Sequence, residues 1–508
     1  MWGIMDRQAG TCLPAAALVC GGIMVLLIVL VSLICLAAET SPFVFSVVYL
    51  AVGLAVVAAI VFLCRTVPAG NEIRFCIILA AAAFAIRGLF VLLVPTEPVS
   101  DFSVLYHAAR QLAQGSNIMN DTPYFQRWAY QSGFVAWMAL WIRLFGADVV
   151  FFQGMNCLCG AGTAVLVYLL ARRFASPQGA RAAGLLYLLY PASILLSPVL
   201  TNQHLSEFLL LAALYVMTGG EAQMKPRVLR GVAAGLLLTL SSAIRPSAVV
   251  AAAAALAALL LEVLKWREAG RYRMLSVAAG VLVTVGACFL ASRGLSWLVQ
   301  VTGVNRYGLE NNVPEWKFIL GLNLESGGEY SYADEGVVFA NDQLSQVQEA
   351  ARRLLRERLA ALTPGRLLVL FGKKIKGMWG EFEPTWCTFT QNVTDLYAAR
   401  GQGEVLNWMM EKYKRLASGL CIASSLLIAA GCVRAALKQE KGQDAALLLT
   451  LTALAYFCAH LLIEIQSRYR TTLFAVAFPL AAVGADFLGS LSGRLLTRRK
   501  EKRKEIQS

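Results

Sequence analysis

The residues that could do chemistry gather in four short clusters, which follow or separate long apolar runs. Burying polar groups at the ends of membrane helices is costly, so such groups tend to line substrate paths. All three histidines are expected near the same face. The clusters contribute Asp101, Tyr106 and His107; Gln203, His204 and Glu207; Arg245; and Glu464, Gln466, Arg468 and Tyr469.

Asp101 is the carboxylate that could act as a base. It follows Pro98 and precedes a helix-like run, so it could cap that helix, and taken alone this capping role is favoured. A carboxylate at this position could instead take a proton from an acceptor hydroxyl while that oxygen attacks a sugar carbon.

Arg468 and Arg245 suit a phosphate group. A guanidinium pairs with phosphate oxygens through a fork of donors and stays charged. Gln466 and Tyr469 could orient the phosphate or belong to an aromatic belt. The alternative for the arginines is interfacial snorkelling, or pairing of Arg468 with Glu464 one turn earlier. We favour function for Arg468 and keep both interpretations for Arg245.

No motif in the sequence requires a metal or a nucleotide. His107 and His204 lack the HExxH pattern and paired-carboxylate spacing, so interfacial hydrogen bonding is favoured for both. Asp101 and Glu207 could contribute ligands to a divalent cation, although no spacing demands one. The chain also lacks a P-loop and a Rossmann glycine fingerprint.

Membrane-spanning helices must position these clusters. The 508 residues are 58% hydrophobic and 15% charged, with a mean hydropathy of +0.61. They contain repeated apolar runs that no water-soluble core would need, so a soluble globule is excluded. The net charge of +14 comes largely from short links and the C-terminal tail. This is the positive-inside pattern of a membrane protein rather than a nucleic-acid groove.

The apolar windows predict an all-α polytopic membrane protein with about twelve spans. Ser132–Phe145 is left out because 14 residues are short for a span and suit an interfacial helix. Its omission places the basic links, which include Lys265, Arg267, Lys438 and Lys441, on the cytoplasmic side with both termini. Arg87 lies inside a span and should face the bundle. The predicted spans are 13–37, 43–65, 73–95, 149–171, 180–198, 205–219, 228–244, 247–265, 274–297, 416–437, 445–464 and 471–490.

Two large loops are then predicted on the outer side. The second contains an amphipathic stretch around Gln343–Leu362 and a basic stretch, Arg366–Trp379, whose Lys373, Lys374 and Lys376 we expect at the lipid headgroups. The predicted divisions are two N-terminal accessory spans (1–72), a core (73–297) with first outer loop 96–148, an outer loop region (298–415), C-terminal helices (416–490) and a basic cytoplasmic tail (491–508).

In their order, the clusters resemble the GT-C superfamily of membrane glycosyltransferases, especially its protein O-mannosyltransferase-like and aminoarabinose-transferase-like branch. The matching pieces are Ser-Asp-Phe-x-x-x-Tyr after an early span, Arg-Leu-Phe-Gly ending a short helix, a Tyr-Pro segment, an Arg-Pro pair, and Glu-x-Gln-x-Arg-Tyr before the final span. The resemblance implies a juxtamembrane helix and places the family's catalytic acidic residue at Asp101. A second acidic residue is frequent in the family. Here the aligned residue is Gln203, and Glu207 could substitute for the missing carboxylate.

The resemblance implies transfer of a hexose or pentose from a polyprenyl-phosphate donor to an extracytoplasmic hydroxyl, with inversion, in the plasma membrane of a cell with an envelope. The acceptor would be a glycan, a lipid or a protein, and nucleic acid is not expected. Asp101 would be the base; Arg468, helped by Gln466, Tyr469 and Arg245, would hold the leaving phosphate. The segment Gly321–Tyr330 could shape the acceptor site or be an ordinary loop. Further possible substrate contacts are Tyr106, His107, Gln203, His204, Glu207 and Glu464.

Two other functions remain open from the sequence. A transporter or lipid-linked saccharide flippase would place polar residues near mid-span and show symmetric repeats, whereas these clusters lie at one face. A non-catalytic membrane assembly protein would use Asp101 only as a cap. Replacing Asp101 by Asn separates the enzyme from the assembly protein, because asparagine keeps the capping ability and removes the base.

Overall fold

The protein is an all-helical membrane protein in the ranges that the structure describes. A computed structural model describes residues 2–40, 43–67, 70–219, 224–246, 248–264, 271–380, 385–437 and 443–491, and these ranges contain no strand. The helices are α1 Trp2–Glu39, α2 Val44–Thr66, α3 Glu72–Leu93, α4 Asp101–Ala113, α5 Pro123–Arg127, α6 Ser132–Phe145, α7 Val149–Ala171, α8 Pro177–Leu188, α9 Pro191–Leu195, α10 Gln203–Met217, α11 Met224–Ile244, α12 Ala248–Leu264, α13 Arg271–Val301, α14 Glu315–Gly321, α15 Tyr332–Val338, α16 Leu344–Ala361, α17 Pro364–Ile375, α18 Thr385–Thr388, α19 Gln391–Ala399, α20 Gly403–Leu437, α21 Gln443–Leu462 and α22 Arg470–Ala477.

Nine helices within the described ranges are long and apolar enough to cross a membrane. The ninth combines the 3₁₀ turn Ser467–Tyr469, α22 and a helix over 481–491. All nine correspond to predicted spans. They are Cys12–Glu39, Val44–Thr66, Glu72–Leu93, Val149–Ala171, Met224–Ile244, Met274–Val301, Gly403–Leu437, Gln443–Leu462 and Ser467–Leu491.

The other three predicted spans are shorter or broken helices. The window 180–198 contains the end of α8 and the short α9, because Pro191 lacks an N–H and starts a new helix after Tyr190. The apolar helices in the windows 205–219 and 247–265 are Gln203–Met217 and Val249–Leu261, and each has fewer than 18 residues. The count of twelve spans therefore stays a prediction.

Ser132–Phe145 forms a separate helix, α6, with the bounds predicted from the sequence. It is absent from the nine candidate spans and packs instead against α4. Its apolar face buries Phe134, Val135 and Met138. Gly146 ends the helix with a φ of 63°, a left-handed conformation that glycine adopts without steric cost.

The bundle is built around α7, α8, α10, α20, α21 and the last span, which share one continuous core. The accessory helices α1 and α2 both pack on α20. Glycine allows the α2–α20 crossing: a Cβ on Gly53 would lie 2.2 Å from the carbonyl oxygen of Gly419. Small residues let helix backbones approach closely where no hydrophobic effect drives association.

Arg87 faces the bundle, as the sequence predicts, and the structure supplies its partners. The side chain is fully buried in α3. Its terminal nitrogens donate to the hydroxyl of Ser193 at 3.0 Å and to the carbonyls of Ala83 and Leu188 at 3.2 and 3.4 Å. Because α8 ends at Leu188, this charge satisfies a carbonyl that a continuous helix would have used.

Residues 94–148 and the described residues of 302–402 contact each other, for example through the bond from the N–H of Tyr130 to the carbonyl of Glu310, and we call the side where they meet the loop face. The second region has a core of its own that includes Trp316 of α14, Val338 of α15 and Val347 of α16. Arg358 of α16 binds Asp334 of α15 through two bonds of 2.8 and 2.9 Å. This bidentate pair fixes α15 on α16.

Some sequence predictions fall outside the described residues. They are the basic residues Lys265, Arg267, Lys438 and Lys441, and the tail from residue 492 onward.

Candidate active site

Asp101 is the first residue of α4, and its carboxylate does not cap the helix. The N-cap is Ser100, which has a φ of 52° and makes no side-chain capping bond. Ser100 is the only non-glycine residue with positive φ in the described part of the chain. Such strain is typical of functional sites, where the surrounding structure holds it in place. The exposed Asp101 carboxylate has no hydrogen-bond or ion-pair partner among the described residues.

Arg468 reaches the same region from the 3₁₀ turn Ser467–Tyr469. Its Nε donates to Oε1 of Gln466 at 2.6 Å, whereas its Nη atoms have no hydrogen-bond partner among the described residues. The guanidinium carbon lies 4.9 Å from the ring centre of Phe102, the residue after Asp101, and 5.8 Å from that of Trp386. Aromatic rings thus hold the cation without using its terminal donors.

A chain of polar contacts supports Arg468 from behind. Gln466, which accepts from Arg468, donates through Nε2 to Oε1 of Glu464 at 2.9 Å. Glu464 is buried and forms an ion pair with Lys317 of α14. The backbone N–H of Glu464 also donates to the carbonyl of Lys317 at 2.8 Å. Arg468 is therefore linked to Glu464 through Gln466, and the alternative of direct pairing one turn earlier does not hold.

Sequence reasoning missed Lys317. It lies in a short helix of the large loop region, almost 150 positions before Glu464, and no spacing connects the two. The folded chain joins them because an extended segment after α21 runs beside α14. Gln466 in that segment has φ of −145° and ψ of 145°.

Charges around Asp101 act on its pKa in both directions. Burial by the surrounding protein raises the pKa of the Asp101 carboxyl above its usual range, although the side chain itself is open to solvent. The positive charges of Arg468 and Lys317 oppose this effect, and the charges of Glu464 and Glu335 reinforce it. A raised pKa makes a carboxylate a stronger base.

Glu464 and Lys317 shift each other's pKa in the direction that favours the charged forms. Burial raises the pKa of Glu464, but the charge of Lys317 and the hydrogen bonds from Lys317 and Gln466 lower it further than burial raises it. For Lys317, burial lowers the pKa, but the charge and hydrogen bond of Glu464, together with Tyr469 and Tyr130, raise the pKa above its usual range. The Glu464 carboxylate that holds Gln466 is thus itself neutralised by the ammonium group of Lys317.

Tyr469 brings Arg245 beside Arg468. The guanidinium carbon of Arg245 lies 4.6 Å from the Tyr469 ring centre, and that of Arg468 lies 5.4 Å from it. Arg245 also donates to Oδ1 of Asn202 at 3.1 Å. The backbone of Tyr469 is fixed by the Tyr456 hydroxyl, which donates to its carbonyl at 2.9 Å. One ring therefore contacts two cations near Asp101.

The cluster on α10 supports the site from inside the protein. Gln203 is buried and donates to the carbonyl of Arg468 at 2.8 Å and to the Thr471 hydroxyl at 3.0 Å. Glu207 is buried and accepts hydrogen bonds from the hydroxyls of Thr471 and Thr472. His204 is buried, and its Nε2 has no hydrogen-bond partner in the described part of the chain. These contacts fix the backbone that carries Arg468.

Tyr106 and His107 lie further along α4, and no contact brings them to Asp101 or Arg468. Tyr106 is half-buried and packs edge-on to Phe152, with ring centres 6.4 Å apart. His107 is exposed.

Lys374 differs from the sequence prediction. It is buried rather than at the headgroups, and its Nζ donates to the carbonyls of Gly321, Leu461 and Ile463 at 2.7, 3.0 and 2.7 Å. Three acceptors match the three donors of an ammonium group, which compensates for its burial. Lys373 donates to the carbonyl of Leu324 at 2.9 Å.

The described residues contain no group of three or more His, Cys, Asp or Glu side chains that could hold a metal ion. Asp101 and Glu207, the two ligands suggested by the sequence, differ in environment. The first is open to solvent, whereas the second is buried on two threonine hydroxyls.

Residues 133–290 match the family model described as dolichyl-phosphate-mannose-protein mannosyltransferase. The resemblance to GT-C membrane glycosyltransferases is confirmed. The matched part of this GT-C-like chain contains Gln203, Glu207 and Arg245. Asp101 and Arg468 lie outside it.

Two solved structures to which the chain is similar come from Archaeoglobus fulgidus. One is the archaeal oligosaccharyltransferase AglB in complex with an inhibitory peptide and a dolichol-phosphate, with a TM-score of 0.48; the other is the oligosaccharyltransferase in the apo form, with a TM-score of 0.42. Each is 14% identical, and each match covers 85% of this chain and 52% of the other. The chain thus spans about half the length of these structures. The search among curated proteins gave no match.

Proposed function

We propose that the protein transfers a sugar from a polyprenyl-phosphate donor to an acceptor hydroxyl at the loop face. The observation that carries this proposal is the juxtaposition of two groups without protein partners. Among the described residues, neither the Asp101 carboxylate nor the Nη atoms of Arg468, beside the neighbouring Phe102, have a hydrogen-bond partner. A base next to an unoccupied guanidinium fork suits a reaction in which a hydroxyl attacks and a phosphate leaves.

In the proposed reaction, Asp101 accepts the proton of the acceptor hydroxyl as its oxygen bonds to the anomeric carbon of the sugar. The bond between that carbon and the phosphate oxygen breaks on the opposite face, so the configuration inverts. The bonding electrons leave with the polyprenyl phosphate. The raised pKa of Asp101 favours the proton transfer.

Arg468 is proposed to stabilise the negative charge that develops on the leaving phosphate. Gln466 holds Nε, so both Nη atoms are oriented before the donor binds. Such preorganised donors contribute most where charge appears in the transition state. Arg245, on the same tyrosine ring, would add a second positive charge at the phosphate.

The loop face is proposed to be extracytoplasmic, with both termini in the cytoplasm of a plasma-membrane protein. The support is the distribution of Lys and Arg, which are abundant in the links that would then face inward.

The decisive experiment compares Asp101→Asn with Asp148→Asn in reconstituted protein. The substrates are radiolabelled polyprenyl-phosphate sugars with glycan, lipid and peptide acceptors. Asp148 is a matched control because its side chain caps α7 through the N–H of Phe151, a role that asparagine can keep. We expect transfer to fall about 10²- to 10⁴-fold in Asp101→Asn alone.

Full transfer by Asp101→Asn would refute the assignment of the base. No turnover of any donor by folded wild-type protein would instead favour a transporter or an assembly protein.

A further inference from the structure

The loop that follows α14 is built onto the candidate active site. Its Gly328 carbonyl accepts from the N–H of Ile465 at 2.9 Å, next to Glu464. Gly328 has a φ of 89°, and a Cβ there would lie 2.8 Å from the side chain of buried Lys374. Only glycine fits this conformation and this approach without strain. The segment from Gly321 to Tyr330 is therefore a fixed structure rather than a loose connection.

Two aromatic rings project from this fixed loop. Tyr332 is 82% exposed and Tyr330 is 41% exposed, and their ring centres lie 5.2 Å apart in an edge-on arrangement. Trp316, which is buried, backs Tyr330 at 6.1 Å. Because the Tyr332 side chain is mostly exposed, its ring contributes little to the hydrophobic core of the second loop region. Exposed aromatic surface beside a polar site indicates a binding surface.

The rings are tied to the candidate active site through the backbone, because Gly328 bonds to Ile465 in the segment that carries Gln466 and Arg468. Burial raises the pKa of Tyr330, and the hydrogen bond and charge of Glu335 and the charge of Asp101 raise it further. The region thus combines two aromatic faces with the Glu335 carboxylate in the first turn of α15.

We propose that Tyr330 and Tyr332 form an acceptor subsite that binds a carbohydrate ring by stacking. This inference rests on the proposed function, because it assigns the acceptor of that reaction. A pyranose presents a C–H face that can cover an aromatic ring and hydroxyls that can donate to Glu335 and Asp101. Ligand sites commonly pair aromatic contacts with a few polar groups in this way.

A peptide acceptor fits these observations less well. Extended peptides commonly bind by adding to a sheet edge, and the described ranges contain no strand. A membrane contact is also disfavoured, because Glu329 and Glu335 flank the rings and would repel anionic headgroups. The exposed rings and the carboxylate beside them favour a glycan.

The test uses the full chain in lipid nanodiscs and measures saturation-transfer NMR with a panel of methyl glycosides. Tyr332→Ala removes the exposed ring, Tyr332→Trp keeps an aromatic face, and Trp408→Ala is a control that removes another exposed ring, 61% exposed on α20. We expect Tyr332→Ala to weaken glycoside binding about tenfold. Tyr332→Trp and Trp408→Ala should bind as the wild type does.

Unchanged glycoside binding in Tyr332→Ala would overturn the inference. A peptide that contains serine and threonine is measured in the same way. If Tyr332→Ala lost binding to this peptide but kept binding to glycosides, that result would also overturn the inference. Unchanged thermal unfolding of Tyr332→Ala excludes a folding defect. The NMR measurement detects binding without turnover. It can therefore refute the acceptor subsite whether or not the Asp101→Asn assay supports the proposed function. A transfer assay adds a second check, because the acceptor KM should rise about tenfold while kcat stays constant.

Discussion

Arg87 and Arg468 are both buried arginines at breaks in helical structure, and they use their donors in opposite ways. Arg87 turns its terminal nitrogens to Ala83, Leu188 and Ser193 and leaves Nε without a partner. Arg468 binds Gln466 through Nε, and its terminal nitrogens lack a partner among the described residues. Inside the bundle the terminal nitrogens therefore bind the protein itself, whereas at the loop face they stay available for the phosphate of the proposed donor.

The largest effect expected from this comparison is on catalysis. Arg468→Gln should lower kcat/KM about 10²- to 10³-fold, because the phosphate loses its preorganised donors. The thermal unfolding midpoint should change little, since the terminal nitrogens hold nothing in the protein. The measurement is transfer of radiolabelled sugar by the reconstituted variant, beside its thermal melt. A variant that melts early but turns over normally would assign Arg468 a structural role.

Arg87→Ala should give the reverse result. The substitution leaves a cavity and removes the donor from Ser193, so the free energy of unfolding should fall by about 3 kcal/mol. Protein that remains folded should keep kcat/KM close to the wild-type value. Thermal unfolding in detergent measures the first effect, and transfer at a lower temperature measures the second. A severe loss of kcat/KM in well-folded Arg87→Ala would break the distinction between the two arginines.

Glu464→Gln should give a smaller effect, seen as a pH shift. Wild-type kcat/KM should fall as the pH drops through the pKa of Asp101, which burial raises above the usual range. Glu464 raises that pKa, and its removal also exposes Asp101 to the uncompensated charge of Lys317. Both changes lower the pKa of Asp101, so the acid limb of the pH profile of kcat/KM should move to lower pH.

Arg468→Gln provides the opposite control for the pH profile. The positive charge of Arg468 lowers the pKa of Asp101, so its loss should move the acid limb of the residual activity to higher pH. Identical acid limbs in wild type, Glu464→Gln and Arg468→Gln would mean that the limb does not report on Asp101.

Much of this arrangement follows from local patterns in the sequence. Hydropathy predicts α7 and α6 with their bounds, because an apolar run ended by charge or glycine is a local signal. The clusters at Asp101 and Arg468 are visible because several different polar residues gather at the ends of apolar runs, where burying them is costly. The break at Tyr190 and Pro191 was not predicted, since the run stays apolar across it.

The contacts that depend on distant chain segments could not be predicted. Lys317 meets Glu464 only because an extended segment pairs with α14, and neither residue has a local pattern that indicates this. Lys374 lies in a basic amphipathic stretch typical of a headgroup helix. Its burial depends on carbonyls from two other helices. Likewise, only the positive φ of Ser100 explains why Asp101 begins the helix without capping it.

The three carbonyls bound by Lys374 have a mechanical consequence. They join α14, α17 and the end of α21 at one point, so these elements should move as a rigid body that also carries Glu464 and the segment from Gly321 to Tyr330. In the proposed reaction, the polyprenyl chain of the donor must nevertheless reach Arg468. The hinge that admits it is therefore expected elsewhere, where Phe102 and Trp386 border the guanidinium without hydrogen bonds between them.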